Sequence, residues 1–170
     1  MSKVAVFGAG SWGTAFSLVL ADAGNDVTLW GRRQDVCDTI NSSRENSEYL
    51  PGIEIPPAIM ADHDHEQALK DADFMVLAVP SQTLRANLTE WAPAVDSKTV
   101  FVSLMKGVEL GTVKRMSEVI AEVTNAGPER LAVVSGPNLA KEIARREPAA
   151  SVVACADEDV ARELQAISHT

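Results

Sequence analysis

Apolar positions in this chain switch repeatedly between two spacings. Val4-Ala5-Val6-Phe7 is a continuous apolar run, the mark of a short buried strand. Over residues 11–23 the spacing becomes helical, carried by Ala15, Leu18 and Val19, and Gly24 stands where a glycine closes a helix. Residues 27–30 form a second strand. A strand–helix–strand unit of roughly thirty residues therefore opens the chain, the length of a right-handed crossover.

The next stretch breaks the rhythm. Residues 41–57 are polar and then turn-rich, with Tyr49-Leu50-Pro51-Gly52 followed by Ile55-Pro56-Pro57. Adjacent prolines forbid a helix or a central strand, so an irregular connection is expected there. Order returns with a helix over 65–71 and an apolar strand over 74–79 stopped by Pro80. Ser81 is expected to cap a helix running to Trp91. A strand follows over 99–104. A helix over 112–124 sets Val113, Met116, Ile120 and Val123 on one face. The remainder predicts a strand over 131–134, a helix capped by Asn138 and carrying Leu139 and Ile143, a strand over 149–156, and a helix opened by Asp157.

Strands that are apolar at consecutive positions are buried on both faces, and their alternation with helices makes the sheet mostly parallel. The expected fold is α/β: a Rossmann-type, doubly wound sheet with helices on both faces, built by residues 1–170 as one domain. Ligands of such sheets sit beyond the carboxyl ends of the strands, at the point where strand order reverses.

Composition narrows the function. The 170 residues are 46% hydrophobic and 23% charged, with a formal net charge of −9. That balance argues against nucleic acid or an anionic membrane as partner. No apolar run approaches the ~20 residues of a membrane span. Met1-Ser2-Lys3 leads straight into a strand without a signal pattern. Cys37 and Cys155 lie far apart and read as free thiols, and the expected compartment is the cytoplasm. His63, His65 and His169 show no metal-ligand spacing, so no metal is expected.

Candidate chemistry lies at the strand ends. The first strand runs into Gly8-Ala9-Gly10-Ser11-Trp12-Gly13, a G-x-G-x-x-G turn opening a helix. Gly8 serves the tight turn, Gly10 the approach of a pyrophosphate, and Gly13 close helix–strand packing; the helix start offers free N–H groups to an anion. The second strand is followed by Arg32 and Arg33 rather than by an acid. Arginines there suit a 2′-phosphate, which favours NADP(H) and leaves NAD(H) open; the alternative is a solvated pair at a helix start. Lys106, at a strand end and followed by Gly107, is placed to polarise a carbonyl or hold a substrate oxygen or phosphate. Ser135-Gly136-Pro137-Asn138 forms a further junction where backbone can approach a ligand closely.

Taken in order, Gly8–Ala15, Leu29-Trp30-Gly31-Arg32, Tyr49-Leu50-Pro51-Gly52, Lys106-Gly107-Val108-Glu109 and Ser135-Gly136-Pro137 with Ala140-Lys141-Glu142 resemble bacterial NAD(P)-dependent glycerol-3-phosphate dehydrogenase. The likeness covers nearly the whole chain. It implies cofactor contacts at Ser11, Trp12, Arg32, Arg33, Tyr49 and Ala140. It places Lys106 between cofactor and substrate, as this chain's catalytic candidate, and turns Gly136 and Asn138 toward glycerol phosphate. Two positions depart from the family pattern: Met105, where threonine or alanine is usual, and Asn138, where threonine or serine is usual. The second weakens a hydrogen-bonding role without removing it.

The resemblance also implies a second, helical domain. That domain supplies the proton-accepting lysine and most ligands of the substrate phosphate, and the full-length enzyme has room for a homodimer. This chain is then expected to bind NADP(H) without appreciable turnover by itself. Implied for the full enzyme is interconversion of dihydroxyacetone phosphate and glycerol 3-phosphate, which supplies the phospholipid backbone. Two alternatives remain: a reductase of a related 2-keto acid such as ketopantoate, and a non-catalytic NADP(H)-sensing module.

Overall fold

The computed structural model describes residues 1–169. It opens with the expected unit: β1 (Lys3–Phe7), α1 (Ser11–Asp22) and β2 (Asp26–Trp30). Then come α2 (Gln34–Ser43), β3 (Glu45–Asn46), β4 (Leu50–Glu54), β5 (Ile59–Asp62), α3 (His65–Leu69) and β6 (Phe74–Leu77). The remaining elements are α4 (Leu84–Trp91), β7 (Val100–Ser103), α5 (Met116–Thr124), β8 (Leu131–Ser135), α6 (Ala140–Ala144), β9 (Val152–Cys155) and α7 (Glu158–Ile167).

Among the described residues, seven strands form one sheet in the order β5-β2-β1-β6-β7-β8-β9. All pairings are parallel except β8 with β9. From β1 the chain builds outward through β2 to β5. It then returns to β6 on the other side of β1 and builds the opposite way. The reversal opens a crevice at the carboxyl ends of β1 and β6, as in a doubly wound Rossmann-type domain.

The period of two along each strand divides the core. Val4, Val6, Leu29, Val76 and Val102 face one way, toward Phe16, Leu20, Ile40, Ala144 and Leu164. Phe7, Met75, Leu77 and Phe101 face the other, toward Leu84, Leu88, Trp91, Val119 and Ile120. On that second face Phe7 stacks on Trp30 with ring centres 5.2 Å apart, and Trp91 closes on both at 4.7 and 4.8 Å. The offset and tilted geometries are those aromatic quadrupoles favour.

Several expectations are corrected. The stretch 41–57 is not irregular throughout: it holds the end of α2 and the antiparallel pair β3–β4. Pro51 is tolerated there because a two-stranded ribbon is all edge. Strand β5 was not expected. Ile59 and Ala61 point into the core and Met60 out, and the Asn41 side chain pins the strand, donating to Ala61 O and accepting from Ala61 N at 2.8 Å each. Helix α5 begins at Met116 rather than 112, because Val113 adopts φ +59° and stands 74% exposed in a turn. The first turn of α5 is instead closed by Glu118, whose carboxylate accepts from Arg115 N at 2.8 Å.

The two expected caps fail as well. Ser81 opens a single 3₁₀ turn (Ser81–Thr83) before α4 without capping it. Asn138 donates to Ser151 Oγ at 2.7 Å, and the N-cap position of α6 is taken by Leu139, which has no capping side chain. Caps at Asp64 and Asp157 do form on α3 and α7. Cys37 and Cys155 are both free, and no described helix is long and apolar enough to cross a membrane.

Candidate functional site

The glycine turn is built by collision avoidance. Gly8 sits at φ +125°, and a Cβ on it would stand 2.6 Å from Ala78 O, across the reversal point. A Cβ on Gly13 would stand 1.9 Å from Gly8 O. Strand, turn and helix are thus pressed together by two glycines that the protein itself requires. Gly10 differs: a Cβ there meets nothing within 4 Å. The space in front of it lies outside the chain's own packing.

Helix α1 starts at that space. Gly10 is its N-cap and offers no side chain, and the first turn carries no acid. The N–H groups of Ser11, Trp12 and Gly13 have no acceptor earlier in the helix. They leave an uncompensated positive pole beside an open glycine, which suits an anion such as a pyrophosphate.

The β3–β4 hairpin leans on this turn. Asn46, 2% exposed, donates from Nδ2 to Ala9 O at 3.0 Å and to Thr14 Oγ1 at 2.9 Å. Ser11 Oγ donates to Tyr49 O at 2.6 Å, which places Tyr49 at the rim with 41% of its surface exposed. Asn46 is a site-building residue that local pattern does not reveal. Its neighbours are polar, and its partners lie more than thirty positions away.

Arg32 and Arg33 separate once folded. Arg33 is held between Asp35 at 2.8 Å and Glu48 at 3.0 Å, and the hydrogen bond to Asp35 pushes its pKa up further. Arg32 is exposed and forms no ion pair among the described residues. The pair read as one from sequence is therefore one engaged guanidinium and one available.

Beyond the turn, a cleft of about 360 Å³ runs along the ends of β6, β7 and β8, lined in part by Trp12, Ala78, Pro80, Met105, Lys106 and Gly136. Lys106 lies on the loop after β7 and donates from Nζ to Gly136 O at 3.1 Å. An ammonium has three donors, so two are left for a ligand. Gly136 is packed against the segment leading into β9, where a Cβ would stand 2.6 Å from Ala150 O. Asn138 also lines the cleft; its Nδ2 donates one hydrogen to Ser151 Oγ, and its Oδ1 is buried without a hydrogen-bond partner among the described residues. Ala140 packs against the core on the α1 face. Gly8, Gly10, Ser11, Trp12, Gly13, Lys106, Gly136 and Asn138 thus converge on one edge of the sheet; Arg32, Arg33 and Tyr49 flank it at the β2 end.

Residues 3–161 match the family model described as the NAD-dependent glycerol-3-phosphate dehydrogenase N-terminus. The chain belongs to this family. Among glycerol-3-phosphate dehydrogenases (NAD(P)+), that of Streptomyces griseus is 64% identical over 168 residues, which cover 99% of this chain and 50% of the relative. That of Mycobacterium tuberculosis, the second of its kind, is 57% identical over 164 residues. The solved glycerol-3-phosphate dehydrogenase of Coxiella burnetii superposes with a TM-score of 0.93 at 33% identity, over 99% of this chain and 51% of that one. The chain spans about half the length of the curated relatives it matches.

Proposed function

We infer that this chain is the cofactor-holding half of an enzyme interconverting dihydroxyacetone phosphate and glycerol 3-phosphate. The observation that carries the reading is the shared cleft. The uncapped start of α1 and the Lys106 ammonium stand on two walls of one crevice at the strand-order reversal. Membership of the glycerol-3-phosphate dehydrogenase family supports the substrate.

Each residue then has a task. The N–H groups of Ser11, Trp12 and Gly13 take the pyrophosphate, and Gly10 lets it approach. Arg32 reads the adenosine ribose; as a free cation it favours a 2′-phosphate and so NADP(H). Tyr49 and Trp12 give the rim an aromatic surface. When bound, the nicotinamide supplies the hydride for C2 of the ketone. Lys106, tethered to Gly136 O, directs its remaining donors at the C2 oxygen, where negative charge develops. The proton-transferring lysine and most phosphate ligands belong to the half of the protein beyond this chain.

Two assays test this reading. The 170-residue chain, titrated with NADPH, should bind it and show no turnover with dihydroxyacetone phosphate. The full-length protein should oxidise NADPH with dihydroxyacetone phosphate and not with ketopantoate. Turnover by the short chain would overturn the half-enzyme reading, and a preference for ketopantoate would overturn the substrate.

A further inference from the structure

Lys106 stands at the head of a loop that apolar packing barely holds. Between β7 and α5, Leu110 and Val113 are 78% and 74% exposed, and Gly107 and Gly111 take φ of +100° and +85°. The loop's own backbone pairing among the described residues is the bridge between Val108 and Arg115, with Glu109 N donating to Lys114 O at 2.8 Å and Val113 N to Glu109 O at 2.9 Å.

The anchorage comes from elsewhere, from the 3₁₀ turn Ser81–Thr83 and the first turn of α4 that follows it. The Gln82 carboxamide grips the loop backbone with both ends: Nε2 donates to Val108 O and Oε1 accepts from Leu110 N, each at 2.9 Å. One helical turn on, Arg85 forks onto the residue between them. Its Nε and Nη2 donate to the two carboxylate oxygens of Glu109 at 2.8 and 2.9 Å. The Glu109 side chain is 14% exposed, and Thr112 Oγ1 donates to it as well. Glu122 of α5 faces the same guanidinium at 3.3 Å and pairs with Lys114, closing the set. Three consecutive residues, beginning two positions after Lys106, are thus held by two side chains one turn apart, Gln82 of the 3₁₀ turn and Arg85 of α4.

We propose that Gln82 and Arg85 are positioning residues for Lys106, fixing where its ammonium stands in the cleft without themselves touching substrate or cofactor. The proposal rests on the reading that Lys106 serves the reaction. The physical need is plain: a charge acting on a developing oxyanion has to be held within about 0.5 Å of its productive place, and a solvated loop with two left-handed glycines does not do that by itself. Gln82 is exposed, while α4 buries Leu84, Leu88 and Trp91. Its loss therefore leaves the core untouched.

The test uses the full-length enzyme. Gln82→Leu and Arg85→Lys should each lower kcat/KM for dihydroxyacetone phosphate about tenfold, with the NADPH Kd unchanged within about twofold. Gln82→Glu keeps the acceptor for Leu110 N and loses the donor to Val108 O, so part of the activity should remain. In a double-variant cycle, Gln82→Leu should add no further loss on top of Lys106→Ala. Melting curves check the fold of each variant, and faster hydrogen exchange at the Leu110 amide reports the released loop. Undiminished kcat/KM in Gln82→Leu and Arg85→Lys, or additive losses in the cycle, overturns the proposal. An active Lys106→Ala enzyme would instead overturn the role of Lys106, and the proposal would fall with it.

Discussion

Gly8 and Gly13 touch backbone to backbone: a Cβ built on Gly13 would stand 1.9 Å from the Gly8 carbonyl oxygen. This contact sets how closely α1 lies on β1. It aims the first N–H groups of the helix over the crevice rather than into solvent. Gly10, at the N-cap position of α1, has no such constraint and leaves its space to a ligand.

Gly13→Ala and Gly10→Ala should therefore fail differently. The first overpacks a site walled by backbone and should destabilise the fold by about 3 kcal/mol or more, since nothing flexible can give way. The second, at an ordinary φ of −81°, should change stability by less than about 1 kcal/mol while abolishing dinucleotide binding. Melting curves and a cofactor titration on the same two proteins distinguish the effects. A Gly10→Ala protein that binds NADPH normally would show that no phosphate lies there.

Arg32 and Arg33 should also part company. Arg32→Ala should weaken NADPH binding by roughly tenfold or more and NADH binding little, the loss of one charge-assisted contact to a 2′-phosphate. Arg33→Ala removes the ties to Asp35 and Glu48 and should change both affinities alike. Equal losses in the Arg32→Ala protein would mean that Arg32 does not read the phosphate.

Asn46→Leu tests the hairpin. It strips the donors to Ala9 O and Thr14 Oγ1 in a buried place and should cost about 1–3 kcal/mol of stability. Because the hairpin also carries the Tyr49 carbonyl that Ser11 binds, cofactor affinity should fall with it. Unchanged affinity would show that the hairpin is a cover without a part in binding.

Acid should release the Lys106 loop. Hydrogen bonds from Arg85, and then from Thr112, hold the Glu109 carboxyl down at about 2, against an ordinary 4.5. A depressed carboxyl stabilises the folded form above pH 4.5, and that contribution is lost as pH falls toward 2. The melting-temperature gap between the natural protein and Glu109→Gln should thus be full at neutral pH and shrink below pH 4.5. A gap that does not change with pH would remove Glu109 from this role.

Much of this was legible along the chain, for a definite reason. The unit β1–α1–β2 depends on contiguous residues: an apolar run, a turn needing φ that only glycine takes freely, and a helical repeat. Buried parallel strands announce themselves because both faces are covered, so Phe74–Leu77 and the first three residues of β7, Val100 to Val102, are apolar without interruption. Edge elements lack that signal. Strand β5 has one neighbour and a side-chain clamp from Asn41, and β3–β4 contains a proline that central strands would reject. The helix expected from residue 112 follows an apolar spacing that is real, but Val113 is turned outward in a loop held by Gln82 and Arg85.

By itself the sequence determined the α/β fold, the glycine turn and the presence of a lysine and two arginines at strand ends, since each depends on local periodicity or on a residue's own conformational range. Tertiary structure decided the rest. It chose Arg32 over Arg33 as the free cation by bringing Glu48 beside the second. It joined Lys106 to Gly136 across thirty positions and placed Gln82 under the loop that carries that lysine. Those choices depend on which distant groups share a few ångströms, and hydrogen bonds and ion pairs at that range leave no period in the chain.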